Sequence, residues 1–108
     1  MTATFQIRYT PLAYQDLVAI YHYIADELLV PETAAAQIKR IQDQIKKLTI
    51  LPERFKEVEW EPWKSMGFHE FAVDRYIVFY QILQEESEIL IVRIVYGGRN
   101  LKDLAEEI

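Results

Sequence analysis

Tyr76-Ile77-Val78-Phe79-Tyr80-Gln81-Ile82-Leu83 and Ile89-Leu90-Ile91-Val92-Arg93-Ile94-Val95-Tyr96, parted by a Glu-rich turn and followed by Gly97-Gly98-Arg99-Asn100, decide the reading of this chain. Runs of β-branched and aromatic residues of this length, bounded by turn residues, predict two adjacent strands. The double glycine after the second run predicts a sharp exit in conformations that a Cβ would forbid, which holds Arg99 at a strand end. Tyr76, Val78, Tyr80 and Ile82 share one face, opposite Ile77, Phe79, Gln81 and Leu83. Both faces are apolar, as expected of a central strand covered on two sides. In the second run, Ile89, Ile91, Arg93 and Val95 alternate with Leu90, Val92, Ile94 and Tyr96.

Upstream, Phe68 to Val73 predicts a third strand, with Phe68, Glu70 and Ala72 on one face and His69, Phe71 and Val73 on the other. Asp74-Arg75 makes its tight turn into Tyr76. The stretch from Pro52 to Gly67 has Pro62, Trp60, Trp63 and four glutamates but no period. It reads as an ordered loop whose tryptophans serve as packing anchors rather than ligand platforms.

Nearer the start, Phe5, Ile7 and Tyr9 alternate with Gln6 and Arg8 as in a half-buried strand. Thr10 can cap a helix opening at Pro11. Ala13, Leu17, Tyr21, Ile24 and Leu28 then predict one apolar stripe on a helix reaching Leu29. Pro31 opens a second helix with Ala34, Ile38, Ile41, Ile45 and Leu48 inward, and Pro52 closes it. So short a connection predicts an antiparallel hairpin. Asn100 can cap a short last helix whose narrow apolar edge is Leu101, Leu104 and Ile108. The expected fold is α+β in the order β-α-α-β-β-β, with the hairpin packed on a small antiparallel sheet, in one domain spanning 1–108.

Composition narrows the function classes. At 108 residues, 51% hydrophobic and 27% charged, the chain reads as one folded soluble domain. A net charge of -5 argues against a protein whose main task is gripping nucleic acid. With no cysteine there is neither a disulfide framework nor a thiolate site, in keeping with a cytoplasmic location. The longest uncharged apolar run is far below the ~20 residues of a membrane helix, and Met1 to Thr10 lacks a basic-then-apolar leader. His22 and His69 have no ligand spacing, so neither a metal nor another cofactor is expected.

The residues with chemical potential are His69, Glu70, Arg75, Tyr76, Tyr80, Arg93, Tyr96 and Arg99, all on or beside the three strands. Cyclising ribonuclease chemistry needs a base, an acid and a cation for the phosphorane, and such residues can supply all three. Alternation nevertheless sends His69 and Glu70 to opposite faces. The plainer alternative makes the tyrosines amphipathic core residues and Arg93 a snorkelling strand residue.

The order and spacing of Tyr9-Thr10-Pro11, Asp16-Leu17, Ile45 to Pro52, Arg75 to Tyr80, and Val92 to Leu101 across nearly the whole chain resemble the RelE/ParE superfamily of type II toxins. The resemblance implies a small toxin neutralised by a cognate antitoxin, with a toxin–antitoxin hetero-oligomer expected. It implies DNA gyrase as the target if ParE-like, or ribosome-bound mRNA cut by an endoribonuclease (an mRNA interferase) if RelE-like. A weakly toxic member that keeps antitoxin binding is a third alternative. RelE-like enzymes carry an arginine just after the tyrosine that here precedes Ile77, and their lysine-rich segment shrinks here to Lys56 and Lys64. The ParE-like side is therefore favoured. For a ribonuclease, the candidate catalytic residues are Arg99, Arg75, His69 and Tyr96. The candidate target-binding residues are Arg99, Arg93, Lys102 and Lys64, and Leu101, Leu104 and Ile108 are the candidate antitoxin contacts.

Overall fold

A computed structural model of the chain describes residues 4–106. The elements are β1 (Gln6–Tyr9), α1 (Pro11–His22), α2 (Pro31–Lys46), β2 (Phe68–Val73), β3 (Tyr76–Leu83), β4 (Glu88–Tyr96) and α3 (Leu101–Glu106). The sheet order is β1-β4-β3-β2. β2, β3 and β4 form the expected antiparallel meander, and β1 joins β4 in parallel, so the four-stranded sheet is mixed. The parallel pairing follows from the connection between them, because a hairpin of two long helices carries the chain over one face before the meander begins.

Thr10 starts α1 as its position before Pro11 suggests. Its hydroxyl accepts from the Ala13 amide at 3.0 Å and donates to the Val92 carbonyl at 2.9 Å, tying the helix start to β4. The far end differs from expectation. α1 widens into a π turn over Tyr23–Glu27, where the Leu28 amide reaches the Tyr23 carbonyl at 3.2 Å, and Leu29 then leaves at φ 59°. The buried stripe is Ala13, Leu17, Ile20 and Ile24, while Tyr21 and Leu28 are exposed. α2 runs as expected, with Ala34, Ile41, Ile45 and then Leu48 buried. One polar residue, Gln37, shares that face and donates to Asp74 at 2.9 Å, which anchors the hairpin to the β2–β3 turn.

One irregularity re-phases β4. Phe79 lies opposite Arg93 and Tyr80 opposite Ile91, which leaves Val92 as an extra residue in a bulge. Beyond it the faces exchange. Ile94, not Val95, joins Ile89 and Ile91 in the hairpin-side core, whereas Val95 joins Val92 and Phe79 on the other side.

The sheet therefore separates two hydrophobic clusters. The larger packs α1 and α2 on Phe71, Val78, Tyr80, Ile89, Ile91 and Ile94. The smaller sets Val58, Trp63, Phe68, Phe79 and Leu104 together, with Trp60 and Leu101 at its margin. Trp60 and Trp63 stack at 4.8 Å, and Trp63 meets the edge of Phe79 at 4.8 Å, so both tryptophans act as the packing anchors their size suggests.

Candidate functional site

β1 is too short to accompany β4 to its end. Its last pair is Tyr9 with Ile91, while β4 continues to Tyr96. α1 lies along the space that β1 leaves, and its Asp16 takes the place of a strand neighbour. The Ile94 amide donates to Asp16 Oδ2 at 2.9 Å, and the Arg93 guanidinium donates to Oδ2 and Oδ1 at 2.8 and 2.9 Å. Arg93 is only 4% exposed, so its cation is committed to this clamp rather than snorkelling into solvent or meeting a target.

Past the clamp a trough of about 880 Å³ opens between the C-terminal end of α1, the start of α2 and the paired ends of β3 and β4. Its walls include Ala19, Tyr23, Leu28, Tyr76 and Tyr96, with Arg40 and Arg75 among the few charged residues. The Tyr76 and Tyr96 rings meet edge to face at 6.4 Å. Burial, and then the neighbouring Tyr23, raise the Tyr76 phenol above its ordinary value. Arg40 donates to Asp74 Oδ2 at 2.9 Å and to Gln37 Oε1 at 3.2 Å. These bonds, first from Arg40 and then from Gln37, hold the Asp74 carboxyl below the usual carboxylate range.

The glycines act differently from expectation. Neither Gly97 nor Gly98 takes a left-handed φ, whereas Gly67, at +73°, does. Close approach is what requires them. A Cβ on Gly98 would stand 2.6 Å from the Tyr96 ring, and one on Gly97 would stand 3.3 Å from the Arg75 carbonyl. Gly98 lets the Tyr96 ring fold over the chain at the trough's edge, while Gly97 lets the end of β4 lie close to the Arg75 carbonyl.

The sequence-predicted catalytic set does not assemble. His69, 9% exposed, stacks on Tyr80 at 5.2 Å, and its Nδ1 lies 2.9 Å from the Phe55 carbonyl. It lines a second cavity of about 420 Å³ together with Glu53, Glu57 and Gln84. Tyr96 and Arg75 line the trough instead. His69 pairs with Tyr80 and Tyr96 with Tyr76, four residues apart on β3, or about 13 Å at the usual strand rise. Tyr80, whose hydroxyl donates to the Pro52 carbonyl at 2.6 Å, is buried, and its pKa is pushed up to about 12.

The remaining candidates are scattered. Lys64 is exposed in the loop covering the second face, and Arg99 is half-buried between β4 and α3. Lys102 lies in α3, and Ile108 falls outside the described residues. Leu104 is 0% exposed and Leu101 packs beside it, so the edge of α3 is already covered by Trp63, Phe79 and their neighbours within the chain. Among the described residues no group of three or more His, Asp or Glu is placed to hold a metal ion, and no helix is long and apolar enough to cross a membrane.

The model of one protein family, the ParE toxin of the type II toxin-antitoxin system parDE, matches residues 7–101. This chain belongs to that family. The ParE-family fold recurs in the chromosomal ParDE TA system from P. aeruginosa, with a TM-score of 0.70, 24% identity, and coverage of 87% of this chain and 97% of that one. It recurs in the toxin-antitoxin complex RelBE2 from Mycobacterium tuberculosis, with a TM-score of 0.61, 21% identity, and coverage of 86% and 98%. The isolated E. coli RelE toxin matches with a TM-score of 0.60 and 10% identity over 95% of this chain and 96% of that one. Among curated proteins, no sequence matches significantly. This ParE-family chain is thus a toxin of a type II toxin-antitoxin system. The bulge at Val92 and the Asp16–Arg93 clamp, which periodicity did not reveal, set the shape of its open sheet edge.

Proposed function

We propose that this toxin arrests growth by binding DNA gyrase, carries out no cleavage of its own, and is held inactive in the cytoplasm by a cognate antitoxin. The observation that carries this reading is the dispersal of the would-be ribonuclease residues. His69 opens into a cavity bordered by Glu53 and Glu57, where two carboxylates oppose an approaching phosphodiester, while Arg75 and Tyr96 belong to a different cavity. The position where RelE-like enzymes carry an arginine holds Ile77, which packs at the margin of the second cluster. An isoleucine cannot neutralise a phosphorane.

A binding toxin needs no such convergence. Arg99 with Lys64 and Lys102 are the proposed gyrase contacts, and Arg93 is omitted because Asp16 holds it inside the fold. The test compares purified chain in a gyrase supercoiling reaction with the same chain on mRNA-programmed ribosomes. Loss of supercoiling, with induced cells showing the DNA-damage response and filaments before translation falls, is the expected result. Cleavage of mRNA in the ribosomal A site with supercoiling intact would overturn it. Inactivity in both reactions would instead make the chain a weakly toxic member that retains antitoxin binding.

A further inference from the structure

We propose that the second cavity, the one His69 lines, is a binding site for a long-stemmed organic cation, the ammonium or guanidinium head of an alkyl chain. The site goes beyond the gyrase reading and does not depend on it. The backbone sets the geometry. Glu57 pairs with His69 in an isolated antiparallel bridge, flanked by the Val58 amide donating to the Phe68 carbonyl at 2.8 Å and the Glu70 amide donating to the Lys56 carbonyl at 3.0 Å. Bonds on both sides of a pair, with none between its own members, mark the closer of the two antiparallel pairings, so the two side chains stand together on one face. Lys56, one residue earlier, turns to the opposite face, where Glu70 lies 3.9 Å away. The cavity thus gains the carboxylate without the ammonium.

The hydrogen-bonding state of each group decides the ligand. A carbonyl oxygen only accepts, so His69 Nδ1 carries the proton in its 2.9 Å bond to Phe55, and in the neutral ring Nε2 keeps a lone pair. The ring is 9% exposed and stacks on Tyr80, yet Nε2 has no protein partner among the described residues. Nor is it sealed off, since among the described residues Trp60 Nε1 alone is both fully buried and unpartnered. Nε2 therefore opens on the cavity that its ring lines. The Glu57 carboxylate is likewise without a partner among the described residues, and Glu53 keeps one oxygen free, because Gln84 Nε2 meets only Oε1, at 3.3 Å. The Gly67 amide is spent on the Lys64 carbonyl. Apart from one hydrogen of the Gln84 amide, the side-chain groups left over are acceptors. Such a lining rejects phosphate and carboxylate and selects a donor-rich cation. Phe55, braced by Phe71 at 4.4 Å, and Ile82 give the alkyl stem an apolar wall. At about 420 Å³ the space takes one such head and stem. No three His, Asp or Glu residues among those described are placed to hold a metal ion, which leaves an organic cation as the fit.

The experiment titrates the full chain with agmatine, an alkylguanidinium, and follows it by calorimetry and by the ring-nitrogen resonances of the two histidines. Agmatine is expected to bind with a Kd of ~1 mM or tighter and to move the His69 Nε2 signal, while the exposed His22 on α1 stays put as an internal control. Glu53→Gln and Glu57→Gln keep the side-chain shape and remove one charge each. Each should weaken binding ~3-fold and the double variant ~10-fold or more, whereas Glu32→Gln at the start of α2 changes nothing. Thermal melts verify that every variant is folded. An arginine tripeptide blocked at both ends then names the source. Binding as tight as agmatine's or tighter assigns the cavity to a basic side chain of a partner protein, and weaker binding or exclusion assigns it to a free alkylamine. Absence of agmatine binding, affinity that survives the double variant, a His69 signal unmoved at saturation, or equal binding of butyrate would each overturn the proposal.

Discussion

Removing Asp16 should destabilise this protein more than almost any other single change at a partly exposed position. In Asp16→Ala the Arg93 cation, its side chain 5% exposed, loses its counter-charge, and the Ile94 amide loses its acceptor. Breaking a buried ion pair from one side costs ~3–5 kcal/mol, and an unmet buried donor alone costs ~1–3 kcal/mol. Because both losses fall on one carboxylate they overlap, and a combined cost of about 4 kcal/mol is expected. Against a total stability of ~5–15 kcal/mol this approaches unfolding for a domain of this size. At ~4–8 °C per kcal/mol it lowers Tm by about 15–30 °C. Asp16→Asn, which keeps an acceptor for Ile94 but loses the charge, should fall between. Replacing both partners, Asp16→Leu with Arg93→Leu, should recover much of the loss, since apolar groups can substitute for a buried pair. Urea unfolding monitored by tryptophan fluorescence reads all four proteins by linear extrapolation. A loss below ~1 kcal/mol in Asp16→Ala, comparable to that of an exposed pair, would show that Arg93 swings into solvent and that the clamp does not hold the strand edge.

Ile41→Ala removes a side chain that is fully buried in the hairpin and should cost ~2–5 kcal/mol, whereas a denaturant shift worth under ~0.5 kcal/mol would contradict its packing against the sheet. Acid titration should expose the Asp74 contact. Its folded pKa lies below the unfolded carboxylate value, so its contribution is present above that value and fades as the pH falls through the folded pKa. Asp74→Asn should therefore flatten the acid limb of a stability–pH profile, and an unchanged limb would mean that Arg40 and Gln37 do not favour the ionised form. Arg99→Ala should abolish growth arrest through a ~30-fold or greater loss of target binding while Tm stays within a few degrees. Full toxicity at equal expression would remove Arg99 from the target surface.

The meander was legible because β-branched runs, a tight Asp74-Arg75 turn and a Glu-rich turn all specify the same local structure. α2 was legible for the same kind of reason, since its inward residues contrast with a lysine-rich outer face. α1 was legible as a helix but not in phase. Tyr14, Val18 and Tyr21 make a second apolar stripe that leaves little contrast between faces, and the π turn at Tyr23 then alters the spacing. The β4 bulge left no trace because Val92, Ile94 and Val95 are interchangeable to any periodic reading when both faces are apolar. The candidate site suffered most. Arg93 and Asp16 are 77 residues apart, and His69 meets the Phe55 carbonyl across 14, so no local pattern records either contact. The trough arises from the unequal lengths of β1 and β4, which strand propensity alone does not fix.

The two clusters on opposite sides of the sheet also divide the protein's freedom to change. Neighbouring residues on β3, such as Val78 and Phe79, answer to different neighbours, one to the helices and the next to the tryptophan loop. The loop from Val58 to Gly67 and the short α3 can thus be rebuilt, with new charges or lengths, while the hairpin side, which also holds Phe55 and the Tyr80–Pro52 hydrogen bond, keeps its shape. A chain built this way can vary one face of its sheet through mutation without disturbing the trough on the other.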